Sequence, residues 1–235
     1  MYEPFIDDQW LDPGDRCTKC QGLDHSNEWL AQAMELRNQR LSLNQKARLD
    51  NFVTDSEHQA VGLARAQEFI GMIDKRKPQA ILFYSFKNGN TSGYGVGKTH
   101  LASAIGYEMA QREWAVQTWL APDLFAKLRA SYAQDSEIQE YAILHPAKTA
   151  DLVILDDVGK ENAREEWRQD LYFRLIDARY RHGPLVITTN LRPTDEFPEH
   201  IGEAAYSRLW EMASTRWWVD MCGPDWRARI AQELE

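Results

Sequence analysis

An α/β fold on a central parallel sheet is predicted by three observations. Ala80-Ile-Leu-Phe-Tyr84 is an apolar run that leads into a glycine-rich stretch, Ser92 to Ala102 (SGYGVGKTHLA), which opens a segment of helical spacing. Asp151-Leu-Val-Ile-Leu-Asp156-Asp157 carries an apolar run into two carboxylates. Leu185-Val-Ile-Thr-Thr-Asn190 is a second run of that type and also ends in a polar residue. Short apolar runs alternating with helical segments describe strands buried on both faces of a parallel sheet. Polar residues at their carboxyl ends fall where such sheets hold ligands.

The glycine-rich stretch joins a strand to a helix, which is how a phosphate-binding loop is built. Glycine tolerates positive φ and has no Cβ, so Gly95 and Gly97 let backbone N–H groups turn toward a phosphate. Lys98 would put a point charge on the β- and γ-phosphates, and the Thr99 hydroxyl would ligate magnesium. The helix N-terminus adds its dipole. The strict pattern wants Gly where Ser92 stands, so the match is to the downstream part, GxGKT. On the second run, Asp156 would hold magnesium and Asp157 would orient or deprotonate an attacking water. Asn190 would sit beside these carboxylates, within reach of the γ-phosphate or the water.

The chain has 235 residues, 43% hydrophobic and 27% charged, with a net charge of −9. That length suits one α/β domain plus an appendage. No apolar run approaches the roughly 18 residues of a membrane span, and the acidic start MYEPFIDDQW lacks the features of a signal peptide. A cytoplasmic protein is expected. The acidic balance argues against nonspecific coating of DNA, so nucleic-acid contact would need a local basic patch or a larger assembly. Three cysteines do not suggest a disulfide framework.

Taken in order, residues 1–46 form an N-terminal appendage and 47–235 the main domain. The appendage begins irregularly, punctuated by Pro4, Pro13, Gly14 and Gly22. Cys17 and Cys20 have a spacing that suits two thiolates on zinc, with His25 as a third ligand; two free thiols on a turn is the other reading, because no fourth ligand lies nearby. Asn27 to Leu43 reads as a helix. A second helix is expected over Asp55 to Lys75, then a strand from about 80 to 86 and a polar excursion over 87–92. Helix 98–112, strand 114–120, helix 121–132 and a further helix near 136–144 follow. After strand 151–157 come helix 163–180, broken by His182-Gly-Pro184, and strand 185–190. Residues 193–200 read as a loop, 201–212 as a helix, 217–220 as a closing strand, and Gly223 onward as the start of a short final helix.

This order resembles the AAA+ ATPases of the DnaC/DnaI helicase-loader family, with the related IstB transposition helpers close behind. The resemblance covers about Ala47 to Arg229. It rests on LDNF at 49–52, GYGVGKTHLA at 93–102, APDLFAKLRASY at 121–132, DLVILDDVGKE at 151–161, VITTN at 186–190 and YSRL at 206–209. It implies an AAA+ three-layer sandwich of the P-loop NTPase class. Gly93, Gly95, Val96, Gly97, Lys98, Thr99 and His100 would bind ATP, with Lys98 and Thr99 as Walker A and Asp156 and Asp157 as Walker B. Asn190 would be sensor 1. Arg208 would be an arginine finger acting in trans, Glu161 would assist Asp157, and Arg227, in competition with Arg229, would be sensor 2. The CxxC is similar to the zinc-binding cysteines of some loaders, although a second CxxC is absent.

The expectation is therefore an ATPase, weak as a monomer, that uses ATP and Mg2+, self-associates through the nucleotide interface, and helps place a hexameric DnaB-type replicative helicase on single-stranded DNA. Three alternatives stand beside it: an IstB-like transposition helper, a small-molecule kinase on the P-loop fold, and a non-hydrolysing binding module.

Overall fold

In a computed structural model of the chain, residues 46–87, 93–132 and 139–226 are described. Helix α1 (Glu57–Met72) starts at Ser56, whose hydroxyl accepts from the Gln59 amide. Strand β1 (Ala80–Tyr84) leads to the glycine-rich loop and helix α2 (Lys98–Gln111). Strand β2 (Val116–Leu120) runs straight into α3 (Ala121–Ser131), where Pro122 sits in the first turn, a position that needs no N–H donor. Two short helices, α4 (Glu140–Leu144) and α5 (Pro146–Thr149), precede strand β3 (Leu152–Val158).

The long helix α6 (Glu165–His182) has acids in its first turn and Arg179, Arg181 and His182 in its last, matching the helix dipole at both ends. Strand β4 (Leu185–Thr189) follows. Then come α7 (Glu196–Ile201), α8 (Glu203–Ala213), a single 3₁₀ turn, and strand β5 (Trp218–Asp220).

The sheet order is β2-β3-β4-β1-β5, with every pair parallel. Parallel strands need cover on both faces. Accordingly, Ala80 to Phe83, Leu152 to Leu155 and Leu185 to Ile187 are all buried. Helices α2 and α3 pack on β3 and helix α8 on β1, the cover required by the three-layer α/β sandwich that the resemblance implies.

Two local expectations need correction. Residues 193–200 are not all loop, because Asp195 caps the Glu196 amide and a helical turn forms over 196–201. The helix expected at 201–212 starts instead at Glu203, after Gly202 separates it from α7.

One buried cation was not foreseen. Arg179, 1% exposed, donates to the carbonyls of Ala147, Ala150 and Pro184. It ties the end of α6 to the entries of β3 and β4, and burial lowers its pKa to about 10.

The order of strands decides which side chains meet. β1 lies between β4 and β5, and β4 lies between β1 and β3. The loops leaving β1, β3 and β4 therefore emerge side by side at the carboxyl edge of the sheet.

Candidate functional site

The glycine-rich loop turns into α2 through Gly97, whose φ is +100°. A side chain there would be strained, and its Cβ would lie 2.5 Å from the Phe52 ring. Phe52 also packs edge-on against His100, whose Nε2 is 2.9 Å from the Arg48 carbonyl. On the other side, the Trp226 amide donates to the Gly95 carbonyl at 3.1 Å. Segments from both ends of the domain thus close over the loop. His100 is engaged with the segment at 48–52, and Val96 is 1% exposed within the core.

Lys98 is 6% exposed. Its ammonium donates to Ser85 Oγ at 2.5 Å, Asn190 Oδ1 at 2.7 Å and the Gly93 carbonyl at 3.1 Å. Three acceptors use all three of its protons. Burial lowers its pKa to about 8, only partly offset by the charges of Asp157 and Asp156. A buried cation held this way gains when an anion reaches it.

Thr99 Oγ1 lies 3.0 and 3.1 Å from the two oxygens of Asp156. Thr188 on β4 donates to Asp156 Oδ1 at 2.6 Å, and its oxygen accepts the Asp157 amide at 2.9 Å. Burial raises the Asp156 carboxyl above its usual range; the Thr188 hydroxyl lowers it, the neighbouring Asp157 charge raises it, and the shift remains upward.

Between Leu155 and Val158 the β3–β4 register gains one residue on β3, a bulge at the two carboxylates. Asp157 has a φ of +58°, a left-handed conformation that Asp tolerates better than most residues. Bulges of this kind re-aim side chains beside sites.

Glu161 caps the turn that follows. Its Oε2 accepts the Gly159 amide at 3.0 Å, and Oε1 takes the Tyr172 hydroxyl and His200 Nε2. Its carboxylate is fully enclosed. Burial pushes that carboxyl up, but the donors from His200 and Tyr172 outweigh it, leaving it below the usual carboxylate range. The family resemblance implies that Glu161 assists Asp157. In the structure the link runs through the Gly159 turn, with no hydrogen bond between the two carboxylates among the described residues.

Gly93 and Asn190 line a cavity of about 440 Å³ at the mouth of the loop. Lys98, Thr99, Asp156, Asp157 and Asn190 are thus brought together by the carboxyl ends of three neighbouring strands. Arg208 is elsewhere. Its Nε donates to Asp177 on α6 at 2.8 Å, and its guanidinium lies 4.4 Å from the centre of the Phe173 ring. Cys17, Cys20, His25, Ser92, Arg227 and Arg229 lie outside the described residues.

Sequence reasoning missed Ser85 and Thr188. Each stands at or just past the carboxyl end of an apolar run, and that position was the available signal.

A five-stranded parallel sheet with a glycine loop after β1, an acidic pair ending β3 and Asn190 after β4 defines an AAA+ P-loop protein. The family model described as IstB-like ATP binding protein matches residues 42–208, and the chain belongs to that family. A putative insertion sequence ATP-binding protein of Sinorhizobium fredii is 33% identical over 96 residues, 41% of this chain and 31% of that protein. The replicative helicase loader DnaI of Bacillus subtilis is 30% identical over 108 residues, 46% of this chain and 33% of that protein. The chain spans about a third of the length of these curated relatives.

Among solved structures, the DnaC helicase loader superposes with a TM-score of 0.62 at 21% identity, covering 74% of this chain and 96% of that one. DnaI gives 0.61 at 22%, covering 77% and 90%. These likenesses show the shared fold. No helix among the described residues is long and apolar enough to cross a membrane.

Proposed function

We propose that this chain binds ATP with magnesium and hydrolyses it slowly, as a replication accessory protein that helps place a hexameric replicative helicase on single-stranded DNA. The observation that carries the nucleotide half is the convergence of Lys98, Asn190, Thr99 and Asp156 on one edge of the sheet. Lys98 would exchange Ser85, Gly93 and Asn190 for phosphate oxygens. Thr99 and Asp156 form an oxygen donor pair of the kind magnesium accepts alongside water and phosphate. Bound there, the ion would neutralise charge on the phosphates. Asp157 is the residue that would take the proton of the attacking water, on backbone held by Thr188 and the Gly159 turn. Glu161 holds that turn. Arg208 would act on nucleotide bound by a neighbouring copy, so self-association is part of the reading. Arg227 is proposed as sensor 2, and Cys17, Cys20 and His25 as a zinc site on the appendage.

The helicase half is supported by the likeness to DnaI and to the DnaC loader. A second reading, an ATP-dependent transposition helper, is favoured by the insertion-sequence relative. Capture experiments with the full chain separate them. Retention of a hexameric replicative helicase in an ATP-dependent manner, together with hydrolysis stimulated by single-stranded DNA, is the expected result. Retention of a transposase instead, with stimulation by duplex DNA, would overturn the loader reading. ATP turnover without an added acceptor argues against a kinase, and loss of turnover in Asp157→Asn argues against a non-hydrolysing module.

A further inference from the structure

The cavity at the mouth of the phosphate loop holds a lysine that the site described so far leaves unused. Lys160 lines it together with Gly93, Tyr94, Asn190, Arg192 and Glu196. Its ammonium is 2.8 Å from Asp157 Oδ2 and 5.5 Å from the centre of the Tyr94 ring, so it lies between the Walker B carboxylate and the phosphate loop. Two other cations line the cavity: Arg192 is paired with Glu196 and Asp195, and Lys87 stands beside Phe86 on the segment leaving β1, while Lys160 is the one paired with Asp157. The Lys160 side chain is 43% exposed and that of Asp157 27%. The pair is therefore close in geometry, weak in energy, and carried on a flexible four-carbon stem.

We propose that Lys160 is a positioning residue, a latch that holds Asp157 in the nucleotide-free chain and yields it to the terminal phosphate. The proposal rests on the reading that this site hydrolyses a nucleoside triphosphate. In that reaction the water oxygen bonds to the terminal phosphorus as its bond to the bridging oxygen breaks. The electron pair leaves with the diphosphate, and the water proton passes to Asp157. An ammonium at 2.8 Å engages one of the two Asp157 oxygens and lowers the basicity of the carboxylate that receives that proton. A triphosphate settling on Lys98 and Asn190 brings its terminal charge into the cavity that Lys160 lines. The terminal phosphate carries more charge than one carboxylate and competes for the ammonium. A diphosphate lacks that group, so the latch closes again after release.

The Asp157 backbone stays in place when the latch opens, because it is fixed independently. Its amide is bonded to Thr188, and the following turn is closed by Glu161 on the Gly159 amide. Opening thus changes the availability of the carboxylate without moving the backbone that carries it.

The test uses the full chain with saturating ATP and magnesium, and measures binding separately with a fluorescent non-hydrolysable ATP analogue. Lys160→Met and Lys160→Gln should raise kcat about two- to fivefold, the range that releasing an exposed ion pair supports. Analogue affinity should fall by no more than about twofold, the small loss expected when the terminal phosphate gives up one exposed cation. Lys160→Arg, which keeps a cation beside Asp157, should restore most of the restraint. Adding Asp157→Asn to Lys160→Met should remove the gain. Neutral variants that bind the analogue normally but turn over no faster than wild type overturn the latch alone, as does an Arg variant as fast as the Met variant. A wild-type chain that does not bind the analogue overturns the nucleotide reading, and the latch with it.

Discussion

Thr188 donates to Asp156 Oδ1 at 2.6 Å while its oxygen accepts the Asp157 amide at 2.9 Å, so one hydroxyl on β4 fixes the Asp156 carboxylate and the Asp157 backbone at the end of β3. Replacing it with the isosteric Val leaves a buried carboxylate and an amide each short of a partner. Thr188→Val should cost about 1–3 kcal/mol of stability. It should also slow ATP turnover while leaving analogue binding nearly intact. Urea denaturation and a coupled phosphate-release assay check the two effects.

Lys98 is a buried charge whose reward comes from the ligand. Lowering its pKa from 10.5 to about 8 corresponds to a burial cost on the order of 3 kcal/mol. Lys98→Met removes that cost along with the charge, though it leaves Ser85 and Asn190 with one partner fewer. The variant should melt within a few degrees of wild type, and the rise in melting temperature that ATP gives the wild type should vanish. A thermal-shift titration reads both.

The Glu161–His200–Tyr172 cluster predicts acid sensitivity. Glu161 titrates below its ordinary value when folded, so the folded state favours the ionised form. The associated stability is complete above the unfolded pKa, near 4.5, and is lost as pH falls through the folded value. Glu161→Gln should therefore be less stable than wild type at neutral pH by about 1–3 kcal/mol, with the gap closing below pH ~4.5. Urea midpoints measured across that range test the sign.

Arg208 is held by Asp177 away from the Lys98 cluster of its own chain. If it serves a neighbour, Arg208→Ala should lower turnover on the order of tenfold or more at concentrations where the chain assembles. A Lys98→Ala chain, which cannot use ATP itself, should restore activity when mixed with Arg208→Ala. Absence of such complementation would remove the trans role.

Much of the fold was legible because each strand carries an unbroken apolar run. The strands expected at 80, 114, 151, 185 and 217 all form, with ends shifted by a residue or two. The cradle itself was legible from Lys98, Thr99, Asp156 and Asn190, since glycine spacing and strand-end polarity mark them locally. The helix at 196–201 was missed because Pro193 precedes it and Pro198 lies within its first turn, a turn-like composition, while its capping Asp195 was not given weight. Ser85 and Thr188 act through partners 13 and 32 residues away, and no local pattern announces such contacts. The same holds for Arg179, which reads as the polar end of an amphipathic helix yet proves to be fully buried.

The pairing of Tyr84 with Thr189 has a consequence of its own. It is the last rung of the β1–β4 ladder, and the next contact, from the Ser85 amide to the Thr189 carbonyl, begins the phosphate loop. Side chains alternate along a strand with a period of two, so a slip of one residue turns every one of them to the opposite face. The ladder therefore acts as a gauge. Deleting a single residue from β4 would swing Asn190 off Lys98 and Thr188 off Asp156 together, even with every functional side chain still present. The distance from Leu185 to Asn190, counted in residues, is as much a part of the site as the lysine it serves.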